Sequence, residues 1–198
     1  MHRFIIALSC FLMTLAAPIS AQDFEKGLKA AQSGDFETAL EEWKPLANAG
    51  GLSAQFNLGL MYYLGNGVSQ DYTEAAKWYT LAAKQGDAVS QFNLGNMYHD
   101  GQGVPQDYKE SVKWYSLAAK QGNADAQANL GNRYYQGQGV LADFVIAHMW
   151  SNIAAANGSE LAAKKREFIA KNMTSEDISK AQAMARVCMK SNYEKCGY

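Results

Sequence analysis

Small and apolar residues recur along this chain at helical spacing. Ala54, Leu58 and Tyr62 stand at i, i+4 and i+8, one apolar stripe of an α-helix, here helix A. Beyond a glycine-bearing turn, Tyr72, Ala75, Ala76, Tyr79, Ala82 and Ala83 form a wider stripe. That width suits a second helix, helix B, packed against two neighbours. Asp71 precedes helix B with Glu74 three residues on, and Asp107 with Glu110 repeats the pair, which predicts a capping box at each. Gly86 follows the last turn as a C-terminal cap. Near the end of the chain, Thr174 with Asp177 predicts another N-terminus, of a helix running toward Lys190.

The helical pair repeats with a period of 36 residues. Gln55-Phe56-Asn57-Leu58-Gly59 returns as Gln91-Phe92-Asn93-Leu94-Gly95 and as Gln127-Ala128-Asn129-Leu130-Gly131. Gly65-Asn66-Gly67-Val68 returns as Gly101-Gln102-Gly103-Val104 and Gly137-Gln138-Gly139-Val140. Residues 51–86 and 87–122 share 23 of 36 positions; 87–122 and 123–158 share 16. Residues 22–50 fall in the same register as a degenerate first unit, through Gly34-Asp35-Phe36, Ala39, Ala47 and Gly50. Residues 159–198 keep two helical patterns without the glycine motif and read as a terminal cap. A fixed period of this length marks a stacked repeat array rather than a globule around one core.

The glycines have physical work in such an array. Inside a helix, glycine costs about 1 kcal/mol relative to alanine. Gly59, Gly95 and Gly131 accept that cost three times, which predicts close approach of a neighbouring helix. Gly65 and Gly67 lie in the turn, where positive φ is expected. A phosphate-cradle reading of this turn fails, because no third glycine and no Lys-Ser/Thr follow.

The first residues belong to a different pattern. His2 and Arg3 precede an apolar run from Phe4 to Ala17, then Pro18 and Ile19-Ser20-Ala21. This is the layout of a secretory signal peptide over 1–21, with cleavage expected after Ala21. The run is short for a bilayer span, so no permanent membrane anchor is expected. Cleavage removes Cys10 and leaves Cys188 and Cys196, an even pair in an oxidising compartment. Eight residues along a helix rise about 12 Å, too far for a disulfide. If the two pair, the helix must end between them, and Asn192 and Gly197 suit such an ending. A redox pair is the alternative, without Cys-x-x-Cys spacing.

Charge and side-chain inventory narrow the function classes. With 18 basic and 19 acidic residues the chain is nearly neutral, unlike a nucleic-acid binder. Residues 22–86 hold 5 basic and 8 acidic groups, and 159–198 hold 8 and 5. Lys164-Lys165-Arg166 is the densest basic point, either a meeting place for an acidic partner or lipid, or a solvated helix face. His99 and His148 lie on different units, and no zinc spacing exists. Neither Gly-x-Ser-x-Gly nor Ser-x-x-Lys occurs. No catalytic residue, metal site or cofactor is assigned.

Positions that vary between units are free of the shared packing task. On helix A these are Phe56/Phe92/Ala128, Leu60/Asn96/Asn132, Met61/Met97/Arg133 and Tyr63/His99/Tyr135. Positions 56, 60 and 63 fall opposite the Ala54-Leu58-Tyr62 stripe, so they are expected to be exposed. Trp78, Trp114 and Trp150 are either an aromatic ladder or core. Asn57, Asn93 and Asn129 either grip a peptide backbone or bond to a neighbouring helix.

The pattern Ala-x-x-x-Leu-Gly-x-x-Tyr-x-x-Gly-x-Gly-Val-x-x-Asp-Tyr-x-x-Ala-x-x-Trp-x-x-x-Ala-Ala-x-x-Gly resembles the Sel-one-like repeat (SLR) family over 51–158, and loosely over 22–50. The resemblance implies an all-α fold, a right-handed α/α superhelical solenoid of about five helical hairpins. Its units would be 22–50, 51–86, 87–122 and 123–158, closed by 159–198. It further implies a non-enzymatic scaffold for protein–protein contacts, with helix A lining the inner face. The expected partner-binding residues are Phe56, Leu60, Tyr63, Phe92, Asn96, His99, Asn132, Arg133 and Tyr135. The expected partner is a protein or peptide, in the periplasm or secreted, reached by export. A hydrolase acting on cell-wall or β-lactam substrates, and a structural component of an envelope complex, are the rival readings.

Overall fold

A computed structural model describes residues 21–196; the expected leader lies outside the described residues except for its last position. Ten α-helices and no strand make up the described chain. They are α1 (Ala21–Gln32), α2 (Phe36–Asn48), α3 (Leu52–Leu64), α4 (Tyr72–Lys84) and α5 (Ala88–Asp100). There follow α6 (Tyr108–Ala119), α7 (Ala124–Gln136), α8 (Phe144–Ala156), α9 (Glu160–Ala170) and α10 (Ser175–Lys190). None is long and apolar enough to cross a membrane.

From α1 to α8 each helix packs on its chain neighbours, in the pairs α1–α2, α3–α4, α5–α6 and α7–α8, with each pair stacked on the next. That is an all-α solenoid. The last two helices depart from the rule, because α9 and α10 both pack on α8. The expected five hairpins therefore resolve into four hairpins and a two-helix end. The buried side chains fall into three successive clusters rather than one centre. Trp78, Trp114 and Trp150 belong to these clusters as core residues, each at most 7% exposed.

The helical glycines are where the expected approach occurs. A Cβ on Gly59 would stand 2.7 Å from the Tyr79 ring, and one on Gly95 2.6 Å from the Tyr115 ring. In the first unit Gly27 does the same work, with the Trp43 indole 2.5 Å from where its Cβ would be. Periodicity hides Gly27, because residues 33–35 join α1 to α2 where residues 65–71 join α3 to α4. The second glycine of each turn is a joint between units. Gly103 has φ +69°, and a Cβ there would lie 2.1 Å from the Tyr72 carbonyl oxygen; Gly139 meets the Tyr108 carbonyl in the same way at 2.2 Å.

A second joint uses buried glutamines. Gln55, Gln91 and Gln127 donate through Nε2 to the last-turn carbonyls of Ala47, Ala83 and Ala119, each at 3.0 Å. Their Oε1 atoms accept from Gln85, Gln121 and Asn157 at 2.7, 2.8 and 2.8 Å. Each unit thereby ties off the helix end of the unit before it, with donor and acceptor both satisfied away from water.

The predicted caps form, but the boxes do not close. Asp71 and Asp107 accept the N–H groups of Glu74 and Glu110, each at 3.1 Å. Their own N–H groups already donate to Tyr62 O and Tyr98 O at 2.9 Å. Glu74 and Glu110 turn instead to Lys77 and Lys113. Thr174 caps α10 through the Asp177 N–H, and the helix ends at Lys190.

Cys188 and Cys196 form a disulfide with Cα atoms 4.2 Å apart. The helix does end between them, and Asn192 and Tyr193 reverse the chain at φ +52° and +67°. Gly197 lies outside the described residues. The Tyr193 hydroxyl accepts from Asn157 Nδ2 at 2.8 Å, and its ring rests against Gly122. The turned-back tail thus covers the open ends of two units.

Candidate functional site

The variable positions of helix A lie along α3, α5 and α7. Phe56, Leu60, Tyr63, Phe92, Asn96, His99, Asn132 and Tyr135 are all half-buried, not exposed as the helical wheel predicts. Their rings lean on helix B and lose part of their surface there. Phe56 packs on Tyr79 and Phe92 on Tyr115, with ring centroids 6.1 Å apart in both cases. Tyr63 meets Tyr72 edge-on at 5.3 Å, and His99 lies 5.5 Å from Tyr108 while its Nδ1 faces Asp100 Oδ1 at 2.7 Å. Tyr135 stacks on Phe144 at 5.5 Å and touches Phe168 of α9.

Arg133 does not belong to this strip. It is 6% exposed and occupies the place of the buried Met61 and Met97. One guanidinium nitrogen bonds to Gln138 Oε1, Nε has no partner among the described residues, and burial pushes its pKa down. A helix position held by two core methionines is a core position, whatever side chain it carries next.

Two of the three invariant asparagines serve the strip's own packing. Asn93 lines the groove beside Tyr79 and favours its ionised form, while burial, the larger effect, pushes that phenol's pKa up. Asn129 Nδ2 donates to Asn96 Oδ1, which also accepts from the Tyr115 hydroxyl at 2.6 Å. Asn57 bonds instead to Ser53 O in its own helix, and the position equivalent to Tyr79 is there Trp43, which has no hydroxyl. His148 is 2% exposed on α8, with its pKa lowered by burial and by Arg166, whereas His99 lies on α5.

Two grooves open between successive A helices. One, of about 130 Å³, is lined by Leu60, Tyr63, Leu64, Tyr79, Asn93 and Asn96. The other, of about 500 Å³, includes Asn132, Ser151, Lys165 and Phe168, the positions 72 residues beyond Leu60, Tyr79, Asn93 and Asn96. They are one groove at two places in the repeat. The larger has lost its filling. Where the earlier units hold Phe56 over Tyr79 and Phe92 over Tyr115, the third holds Ala128 and Ser151. With no ring between them, α7 and α8 touch directly, and Ala147 O lies 3.1 Å from where a Gly131 Cβ would be.

A profile of the Sel1 repeat matches residues 52–87, 88–123 and 124–159. The chain belongs to the Sel1 repeat family. Each of the three Sel1 repeats spans one helical pair and the three or four residues that follow it. Among solved structures, a protective antigen of uropathogenic Escherichia coli displaying an SLR fold is 34% identical, with a TM-score of 0.74 over 85% of this chain. This chain spans only 38% of that antigen's length. A Sel1 repeat protein from Oxalobacter formigenes is 41% identical, with a TM-score of 0.60 over 65% of this chain and 97% of its own. A search of curated proteins finds no match. Sel1 repeat proteins are in general scaffolds for protein interaction.

Within the Sel1 repeats, two features escape a reading of the sequence alone. The glutamines stand invariant inside apolar stripes, a signal that a buried amide is bonded somewhere, but not to what. The groove needs α9, which follows the last Sel1 repeat and carries none of its motif. α9 places Leu161, Ala162, Lys164, Lys165 and Phe168 along the open side. The basic triplet there is split in use: Lys164 and Lys165 face the groove, and Arg166 bonds to Asn152 Oδ1 at 3.0 Å.

Proposed function

We propose that this Sel1 repeat chain is a non-enzymatic scaffold of the bacterial envelope, binding a partner protein or peptide along the A-helix face. One observation carries the reading: the residues that vary between units run in a continuous half-buried strip over α3, α5 and α7. Phe56, Tyr63, Phe92, His99 and Tyr135 supply rings there, and Leu60, Asn96 and Asn132 supply aliphatic and amide surface. Aromatic groups beside adaptable amides are the composition of recognition surfaces. The leader-like residues 1–21 and the cysteine pair support an exported, oxidising location.

Site-specific photo-crosslinking in living cells tests this. A photoreactive residue at Tyr63, His99 or Tyr135 is expected to trap a partner that the same residue at Lys77, Lys113 or Leu117 on helix B does not. Equal trapping from both sets contradicts the A-helix face.

A further inference from the structure

The groove between α7 and α9 brings three kinds of group to one space. Its wall is apolar, made by Ala128, Leu161, Ala162 and Phe168. At its floor stands Ser151, 1% exposed, with an Oγ that has no hydrogen-bond partner among the described residues. A buried hydroxyl in that condition costs free energy that a bound polar atom recovers. At its rim stand Lys164 and Lys165, and neither forms an ion pair with any described carboxylate. Lys77 and Lys113, on the helix-B faces, are both paired with glutamates. Lys165 is held with Nζ 4.2 Å from the Tyr135 ring centroid, and no acidic residue lines the space.

The occupant's chemistry follows from what is missing. At this place the two preceding units bury an aromatic pair, and here both members are small. An incoming aromatic ring meets the surface that a Sel1 repeat elsewhere offers its own tyrosine. Carboxylates beside that ring meet two ammonium groups that the chain leaves uncompensated. We propose that the α7–α9 groove is a socket for an acidic segment of a partner protein that inserts an aromatic side chain. The proposal rests on the A-helix face reading and narrows it to one pocket and one class of sequence.

The test is selection of random nonapeptides displayed on phage against the purified full-length protein, followed by titration of labelled winners. Enriched peptides should carry Tyr, Phe or Trp within a few positions of Asp or Glu. Ala128→Phe fills the socket as the earlier units do, and should weaken these peptides about tenfold or more. Lys164→Glu with Lys165→Glu should do the same, and Lys165→Gln should weaken them less while preserving the helix. Lys113→Gln, on a helix-B face outside the strip, should leave them unchanged, with circular dichroism confirming the fold of each variant. Peptides without the acidic–aromatic pattern, or indifferent to Ala128→Phe but lost with Tyr63→Ala on the other groove, overturn the socket and keep the A-helix face. Peptides indifferent to all of these variants, or no enrichment, overturn the socket as well. Self-association abolished by Ala128→Phe would assign the groove to a second copy and also overturn the proposal.

Discussion

The groove between α3 and α5 and the groove between α7 and α9 are built from equivalent positions, yet one encloses about 130 Å³ and the other about 500 Å³. The joints do not follow this change. Gln55, Gln91 and Gln127 make the same bond at the same 3.0 Å. A Cβ on Gly103 or Gly139 would lie 2.1 or 2.2 Å from a helix-B carbonyl oxygen of the preceding unit. In this solenoid the boundaries between units are held constant, while the groove is free to change from one unit to the next. The third unit spends that freedom on space.

The constant side should be the most fragile. Gly103→Ala places a methyl group against the backbone of Tyr72 at a positive φ, where neither partner can rotate away. A loss above about 4 kcal/mol is expected in denaturant unfolding, or failure to accumulate as folded protein. A loss under about 1 kcal/mol would show that the stacked turns do not hold the units together.

The filled groove can be hollowed to resemble the open one. Tyr115 is 2% exposed, and its hydroxyl bonds to Asn96. Tyr115→Ser should cost about 3–4 kcal/mol by unfolding, from lost burial and the lost hydrogen bond to Asn96. A near-neutral result would mean that the second unit closes over the gap as easily as the third, and would erase the distinction between the two grooves.

Much of this was legible in the chain itself, for identifiable reasons. The period, the helical pair and the Asp caps are local, and local spacing reports them. The close approach at Gly59 and Gly95 was readable because a helical glycine is costly without a packing cause. What failed was longer range. Glu74 does not close its box because Tyr62 O, from the preceding helix, already takes the Asp71 N–H. Arg133 was assigned to the binding strip because it varies, although Met61 and Met97 at its position marked a buried site. Gly27 was missed because its turn is shorter. The loss of the Phe–Tyr pair at Ala128 and Ser151 was visible in the aligned units. That it opens a pocket depends on α9 leaving the space unfilled, and no spacing rule reports where α9 packs.

The central claim, that the third unit keeps an open socket where the others are packed, is tested most directly by the unfolding free energy of Ala128→Phe. The added ring has the place that Phe56 and Phe92 occupy in their units and buries apolar surface against Phe168 and Leu161. The variant should be as stable as the parent or more so, by up to about 1 kcal/mol. A loss of about 2 kcal/mol or more, the signature of overpacking, would contradict it.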